Sequence, residues 1–479
     1  MAKIIVDPVT RIEGHLKLEV EVEGGVVTNA WTSGSLFRGL ELIMQGRDPR
    51  DAEQIVQRIC GVCPTGHATA GILALDDAFG IEPPPNGRII RNLILGSNWV
   101  QSHILHFFHL AALDYVKGPE LAPFKPRYEA DYRLPEDINA QAVQHYLDAL
   151  TIRRQAHEML AIWGGKMPHV QAIVPGGVSE VPDTSKIYQF LSSLEKITKF
   201  VDEVYVPTVK AVAGVYSDWF DVGYGCGNML AYGGFPLEEG MDHVKKNKLY
   251  KSGVYVRGQY GDLDPEMIEE QVKYSWYDNE IEPKPADAVV KPAPDKKDGY
   301  SWLKAPRYNG EPMEVGPLAR QWINKQKDVV ALGDKKAFSV MGRHFARAIE
   351  CSEMTKALKE WALQLEPGQP VCVPHKIPDS AVGMGLCEAS RGALGHWHRI
   401  EGQRTKVYNA VVPTTWNAGP RDVRNQPGPM EQSIIGCKVA DPANPVELVR
   451  IIRAFDPCFG CAIHVMTPDK KTISQFAIN

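Results

Sequence analysis

The chain has 479 residues, 44% of them hydrophobic, with a formal net charge of −5. That is enough apolar material for a large core, and the slightly acidic balance carries no nucleic-acid footprint. Nine cysteines, an odd number in so long a chain, do not read as a disulfide framework.

The first residues, Met-Ala-Lys-Ile-Ile-Val-Asp-Pro, lack an apolar signal core, and no apolar run approaches the roughly 20 residues that span a bilayer. The expectation is a soluble chain without an export signal of its own, exportable as the passenger of a signal-bearing partner. Residues 3–6 read as a strand. Leu16, Leu18, Val20 and Val22 alternate with polar residues, the pattern of a half-buried strand. Gly24-Gly25 is a hairpin signal, with 26–31 as the return strand. Between the first two strands lies Asp7-Pro-Val-Thr-Arg-Ile-Glu-Gly-His15, dense in ionisable groups. Within it, Glu13 fits a solvated loop residue as well as a proton carrier.

Asp48-Pro49 supplies an N-cap followed by a first-turn proline. Ile55, Val56 and Ile59 form the apolar face of a helix leading to Arg58-Ile-Cys-Gly-Val-Cys63, followed by Pro64-Thr-Gly-His67. A second helix is expected over 66–79. Residues 88–117 have helical period, with His103, His106 and His109 three apart. Such a row can ligate metal, but core or interface histidines are the commoner reading. Residues 138–165, 183–217 and 342–365 read as further long helices, and long helices joined by short loops suggest a central bundle. Between them, residues 223–312 are richer in Gly and Tyr and read as an α+β insertion, with Lys291-Pro-Ala-Pro-Asp as exposed loop.

Cys387-Glu-Ala-Ser-Arg-Gly392 lies in a Gly-rich segment, and Val411-Val-Pro-Thr-Thr-Trp-Asn417 reads as an apolar strand ending in polar turn residues. Asn444-Pro445 caps a last helix, with Glu447 at the capping-box position and Val446, Val449, Ile452 and Phe455 facing inward. Pro457 disfavours helix at Asp456. Asp456-Pro-Cys-Phe-Gly-Cys461-Ala-Ile-His464 follows. Cys226, Cys351, Cys372, Cys387 and Cys437 are scattered singly and read as small buried hydrophobes. The fold class is α+β, mainly helical: a central long-helix bundle with peripheral β-sheet elements.

The two Cys-x-x-Cys clips dominate the chemistry. Four thiolates make a soft, roughly tetrahedral site suited to Zn, Ni or Fe. Structural zinc modules space their clips by about 12 to 20 residues, whereas Cys63 and Cys458 stand 395 positions apart. Such a site closes only when nearly the whole chain has folded, which favours one large domain. Spacing alone leaves three readings open: a catalytic or redox metal, structural zinc, and unrelated thiols.

The two clips, with His67 and His464, resemble the two signatures of the nickel-iron hydrogenase large subunit. Asp7 to His15, Arg38-Gly-Leu-Glu41, Glu388-Ala-Ser-Arg-Gly392 and Val412-Pro-Thr-Thr-Trp-Asn417 fit the same family in the same order, so the resemblance covers nearly the whole chain. It implies the reaction H2 ⇌ 2 H+ + 2 e−. It further implies Cys60 and Cys458 as terminal thiolates on nickel, and Cys63 and Cys461 as bridges to an iron carrying CO and two cyanides. Arg391, Thr414, Pro413, Leu394 and His67 would line the pocket, and Glu13 would relay protons. Glu41, His464 and the Ala410 carbonyl would hold a magnesium or another divalent ion.

By the same resemblance, an iron–sulfur small subunit would take the electrons. Maturation proteins would load the metals, and a C-terminal endopeptidase would remove 465–479, leaving a single domain over 1–464. A periplasmic or membrane-associated location through export with the small subunit is favoured over a cytoplasmic one. Ser102 stands where most members have Asp. This departure and Gln101-Ser-His look more like the selenium-containing subclass, in which position 458 is selenocysteine; here it is Cys. The rivals are a non-catalytic homologue like the related complex I subunit, which lacks the nickel cysteines, and a structural zinc protein.

Overall fold

The computed structural model describes residues 2–127 and 129–462, without the side chains of 461 and 462. The Cys461 side chain, His464 and the tail 465–479 lie outside the described residues.

The N-terminal sheet follows from alternation. Leu16, Leu18, Val20 and Val22 all face the core from the strand Leu16–Glu23, because successive side chains leave opposite faces of a strand. That strand lies between Ala2–Val6 and Val26–Gly34 in an antiparallel sheet. Gly24 and Gly25, at φ 58° and 79°, make the left-handed two-residue turn that matches strand twist.

The bundle follows the 3.6-residue period. Its long members are Pro85–Leu105, Glu136–Gly164, Thr184–Phe200 and Val340–Leu363, and Trp99, Leu160, Phe190, Ile197 and Leu358 meet in one apolar core. Two of the expected helices are interrupted by π-turns, His106–Ala111 and Val201–Tyr205. In the second case Pro207 has no N–H to give the preceding turn. The histidine row on the first of these helices is structural. His103 pairs with Glu350 at 2.9 Å, His106 donates to the Arg453 carbonyl at 2.6 Å, and His109 donates to the Tyr146 carbonyl at 3.1 Å.

Residues 223–312 hold short strands, among them Met229–Ala231, Gly253–Val256 and Ile268–Gln271, and the single 3-10 turn Pro265–Met267. Among the described residues, the helical half of the expected mixture is therefore reduced to one turn.

A second antiparallel sheet, Ser380–Ala389, Gly392–Glu401 and Arg404–Val411, lies on the helix Pro64–Phe79. A Cβ on Gly383 or Gly385 would stand 2.0 Å from the carbonyl of Ala74 or Ala70, so sheet and helix backbones meet with no side chain between them. The strands Ser380–Ala389 and Gly392–Glu401 are joined by the two-residue turn Ser390-Arg391, which puts Arg391 at the sheet's end.

Three local expectations are corrected. Pro413–Ala418 is a helix with Pro413 in its first turn, where a missing N–H costs nothing. The helix after Asp48 starts at Asp51, and the Asp48 carboxylate accepts instead from the Arg50 N–H at 2.9 Å. Glu447 does not close a capping box on Val446–Ala454: its carboxylate accepts from Ala440 N–H at 3.2 Å.

Candidate metal centre

The first clip is held by its own neighbours. The helix Asp51–Val56 tightens into a 3-10 turn at Gln57–Ile59, and Cys60 then leaves in extended conformation. Its sulfur accepts the N–H groups of Val62 and Cys63, each at 3.3 Å. Cys63 is the N-cap of Pro64–Phe79. Backbone donors and a helix N-terminus both favour the thiolate form.

The second clip is held from elsewhere. After Val446–Ala454 the chain passes through Asp456, which is left-handed at φ 54°. The Cys458 N–H donates to Thr414 Oγ1 at 2.8 Å. Residue 458 forms a parallel bridge with Glu13, the Phe459 N–H donates to the Glu13 carbonyl at 2.7 Å, and the Gly460 N–H donates to the Glu13 carboxylate at 2.7 Å. A Cβ on Gly460 would lie 2.3 Å from Glu13 Oε1, so glycine is needed for this approach. Arg38 joins the clips: its guanidinium donates to the carbonyls of Arg58, Ile59 and Gly460.

These two local structures bring the sulfurs of Cys60, Cys63 and Cys458 within 4.8 Å of one another, all buried and none in a disulfide. Cys60 and Cys458 stand 3.3 Å apart. Three converging soft donors on rigid backbone form a transition-metal site, and the donor set fits nickel, iron or zinc. The other lone cysteines differ: Cys351, Cys387 and Cys437 are buried as expected, while Cys226 and Cys372 are partly exposed.

Around the sulfurs, Glu13 Oε2 accepts from the Cys458 thiol at 3.0 Å. Burial, and secondarily the nearby Cys60 charge, holds the Glu13 carboxyl above its ordinary range, against the hydrogen bonds from Cys458 and Gly460. Arg391 is buried. Its guanidinium donates to the Asp456 carbonyl at 3.0 Å, to the Asp456 carboxylate at 2.9 Å and to Ser102 Oγ at 3.4 Å. Burial alone would lower its pKa, yet Asp456 and the three cysteines keep it well above the usual value, so it is a fixed positive charge beside the thiols.

Of the remaining expected pocket residues, Leu394 lies against the first turn of the clip helix, near Gly66, and Pro413 starts the helix that carries Thr414. His67 is turned to His396 at 3.2 Å, and His396 in turn meets the Tyr408 hydroxyl at 2.7 Å. Glu41, on Leu40–Met44, is 6% exposed. Burial raises its pKa, and Lys304 and Arg38 oppose the rise. The strand carrying Ala410 packs on the same short helix. Sequence reasoning gave no role to Arg38 or Asp456 and noted Ser102 only as a departure. Two of them, Arg38 and Asp456, stand inside motifs that were recognised.

A model for nickel-dependent hydrogenases matches residues 38–119 and 116–464, and a HoxL-like model matches 3–31. The chain is 46% identical to the periplasmic [NiFeSe] hydrogenase large subunit of Desulfomicrobium baculatum, over 97% of this chain and 95% of that protein. It is 36% identical to the hydrogenase-2 large chain of Escherichia coli K12, over 98% of each. The solved Ni-Fe-Se hydrogenase of D. vulgaris Hildenborough superposes with a TM-score of 0.93 at 47% identity, covering 97% of this chain and 100% of that one. No helix among the described residues is long and apolar enough to cross a membrane.

Proposed function

The chain belongs to the nickel-dependent hydrogenase family and is a hydrogenase large subunit, and on that premise we propose that Cys60, Cys63, Cys458 and Cys461 hold its nickel, with Cys63 and Cys461 shared with iron. The supporting observation is the convergence of three buried thiols from opposite ends of the chain; Cys461 follows three residues on. When bound, the metal pair, its iron carrying CO and two cyanides, supplies the splitting and formation of H2 and the exchange of two electrons.

The chain's own groups do the rest. Glu13 takes and passes on a proton at Oε2, within hydrogen-bond reach of the Cys458 sulfur. Its burial keeps the carboxyl easy to protonate. Arg391 favours thiolates over thiols by its charge, and Asp456 and Ser102 orient it. Thr414 fixes the backbone of Cys458. Glu41, the Ala410 carbonyl and His464 take a divalent ion, magnesium by preference for oxygen ligands. Such an ion anchors the C-terminal segment.

The electrons leave through a small subunit carrying iron–sulfur clusters, since the described residues offer no second cysteine cluster. Export with that subunit places the enzyme in the periplasm, as the name of the D. baculatum relative supports. Position 458 is the place where the selenium subclass carries selenocysteine. Maturation proteins load the metals, and an endopeptidase then removes 465–479; the family match ends at residue 464.

Metal analysis of the mature heterodimer tests the reading. One nickel and one iron per large chain, beyond the small subunit's cluster iron, with infrared bands from CO and cyanide, is the expected result. Zinc without nickel overturns it. Intact mass of the active large chain is expected to end at His464.

A further inference from the structure

A cavity of about 50 Å³ lies beside the strand Ser380–Ala389, walled by Leu73, Leu95, Phe235 and Leu386 and lined by none of the thiol-cluster residues. Its charged lining is paired with one exception. Arg91 pairs with Asp76 at 2.5 Å, Lys246 with Glu82 at 3.7 Å, and Arg88 with Glu239 at 3.1 Å.

Lys248 is the exception. It is 5% exposed. Its ammonium donates to the Tyr232 carbonyl at 2.9 Å, and among the described residues it makes no ion pair. The buried carboxylate that acts on it, Glu388, is engaged by Arg320 at 2.7 Å and by the Tyr232 N–H at 2.7 Å. An ammonium buried without a counter-charge is costly. His243 lines the same cavity, and both of its ring nitrogens are buried without a hydrogen-bond partner. Burial pushes its pKa to about 4, so the ring is neutral and offers one N–H; burial also pushes Lys248 down to about 8.

We propose that this cavity is a binding site for a small monovalent anion, a carboxylate or oxyanion of about four heavy atoms, held by the Lys248 ammonium and the His243 ring. A buried water needs roughly 10–15 Å³ of such space, so formate, bicarbonate or acetate fits and a larger metabolite does not. The anion supplies the counter-charge Lys248 lacks and the acceptor His243 lacks.

Crystals of the holoenzyme heterodimer soaked in sodium bromide are expected to show an anomalous peak in contact with Lys248 Nζ. Lys248→Met loses the peak and His243→Phe weakens it. In solution, sodium formate at constant ionic strength is expected to raise the melting temperature of the parent heterodimer in a concentration-dependent way. Lys248→Arg keeps that rise and Lys248→Met loses it. A cavity holding only ordered water after the soak, or a formate response unchanged in Lys248→Met, overturns the proposal. Should Lys248→Met fail to fold, His243→Phe decides: an undiminished peak and response in that variant overturn it equally.

Discussion

The two clips reach the same cluster by opposite means. The first has its sulfur held locally: Cys60 takes both of its backbone donors from the next three residues, and a long helix starts at Pro64, while Arg38, Asn98 and Gln101 reach its backbone carbonyls. The second is a loop shaped by strangers. Thr414, Glu13, Arg391 and Arg38 come from four separate segments, and together they hold the stretch from Asp456 to Gly460. A clip whose sulfur is held locally is set largely by its own sequence. A borrowed clip reports on the state of the whole fold.

Removing a sulfur from either side has the largest effect. Cys60→Ala and Cys458→Ala are both expected to lose nickel, with H2 oxidation falling by more than about a hundredfold, beyond the effect of changing groups outside the ligand set. The comparison is sharpened by hydrogen exchange in the metal-free chains. Cys60→Ala should loosen Val62 and Cys63, whereas Cys458→Ala should leave the Glu13 bridge protected; equal loosening at both clips would break the distinction.

Glu13→Gln comes next. The amide keeps a carbonyl for the Gly460 N–H but cannot carry a proton, so turnover is expected to fall about 10²–10⁴-fold with nickel retained. Unchanged H2 oxidation in a metal-replete sample would show that protons leave by another route.

Thr414→Ala orphans the buried Cys458 N–H and should cost about 1–3 kcal/mol, read by thermal melting, while Thr414→Ser restores most of it. No loss in the alanine variant would mean that the second clip does not depend on this bond.

The smallest effect belongs to the first clip. Glu53, on the helix leading to Cys60, is buried, and burial lifts its carboxyl to about 7 against the pull of Gln54 and Gln57. Its folded pKa exceeds the unfolded one, so its stabilising contribution is complete below the unfolded value and is lost as pH rises through about 7. Stability should fall by about 1 kcal/mol between about pH 6 and pH 8 on this account. Glu53→Gln should flatten that slope, as read by urea titration at several pH values; an unaltered slope would remove Glu53 from the account.

What could be read from sequence divides along the same line. The strand Leu16–Glu23, the four long helices and the first clip were legible because side-chain period and short motifs act over a few residues, whereas both expected caps, at Asp48 and Glu447, were not made. Both cysteine pairs stood out for the same reason. The second clip's supports were not legible as contacts. Nothing near Glu13 announces that its carbonyl and carboxylate will take the N–H groups of Phe459 and Gly460, and nothing near Arg38 tells that it bonds to residues on both clips. The helix at Pro413 was misread because its apolar residues suit a strand equally well. His103, His106 and His109 show the converse: a row spaced for metal was read by preference as core histidines, and so it is, but their partners, Glu350 and two backbone carbonyls, come from distant segments that spacing does not name.

The parallel bridge between Glu13 and Cys458 also sets a clock. Cys60 and Cys458 are 398 residues apart in the chain, and a ribosome adds roughly 5–20 residues per second. The first pair of thiols is therefore made some 20 to 80 s before its counterpart, on the same estimate. Through that interval the nascent chain carries half a ligand set. A metal that needs both halves must be delivered after translation ends, and a chain cut short by a stalled ribosome can never mature, however well its first four hundred residues fold.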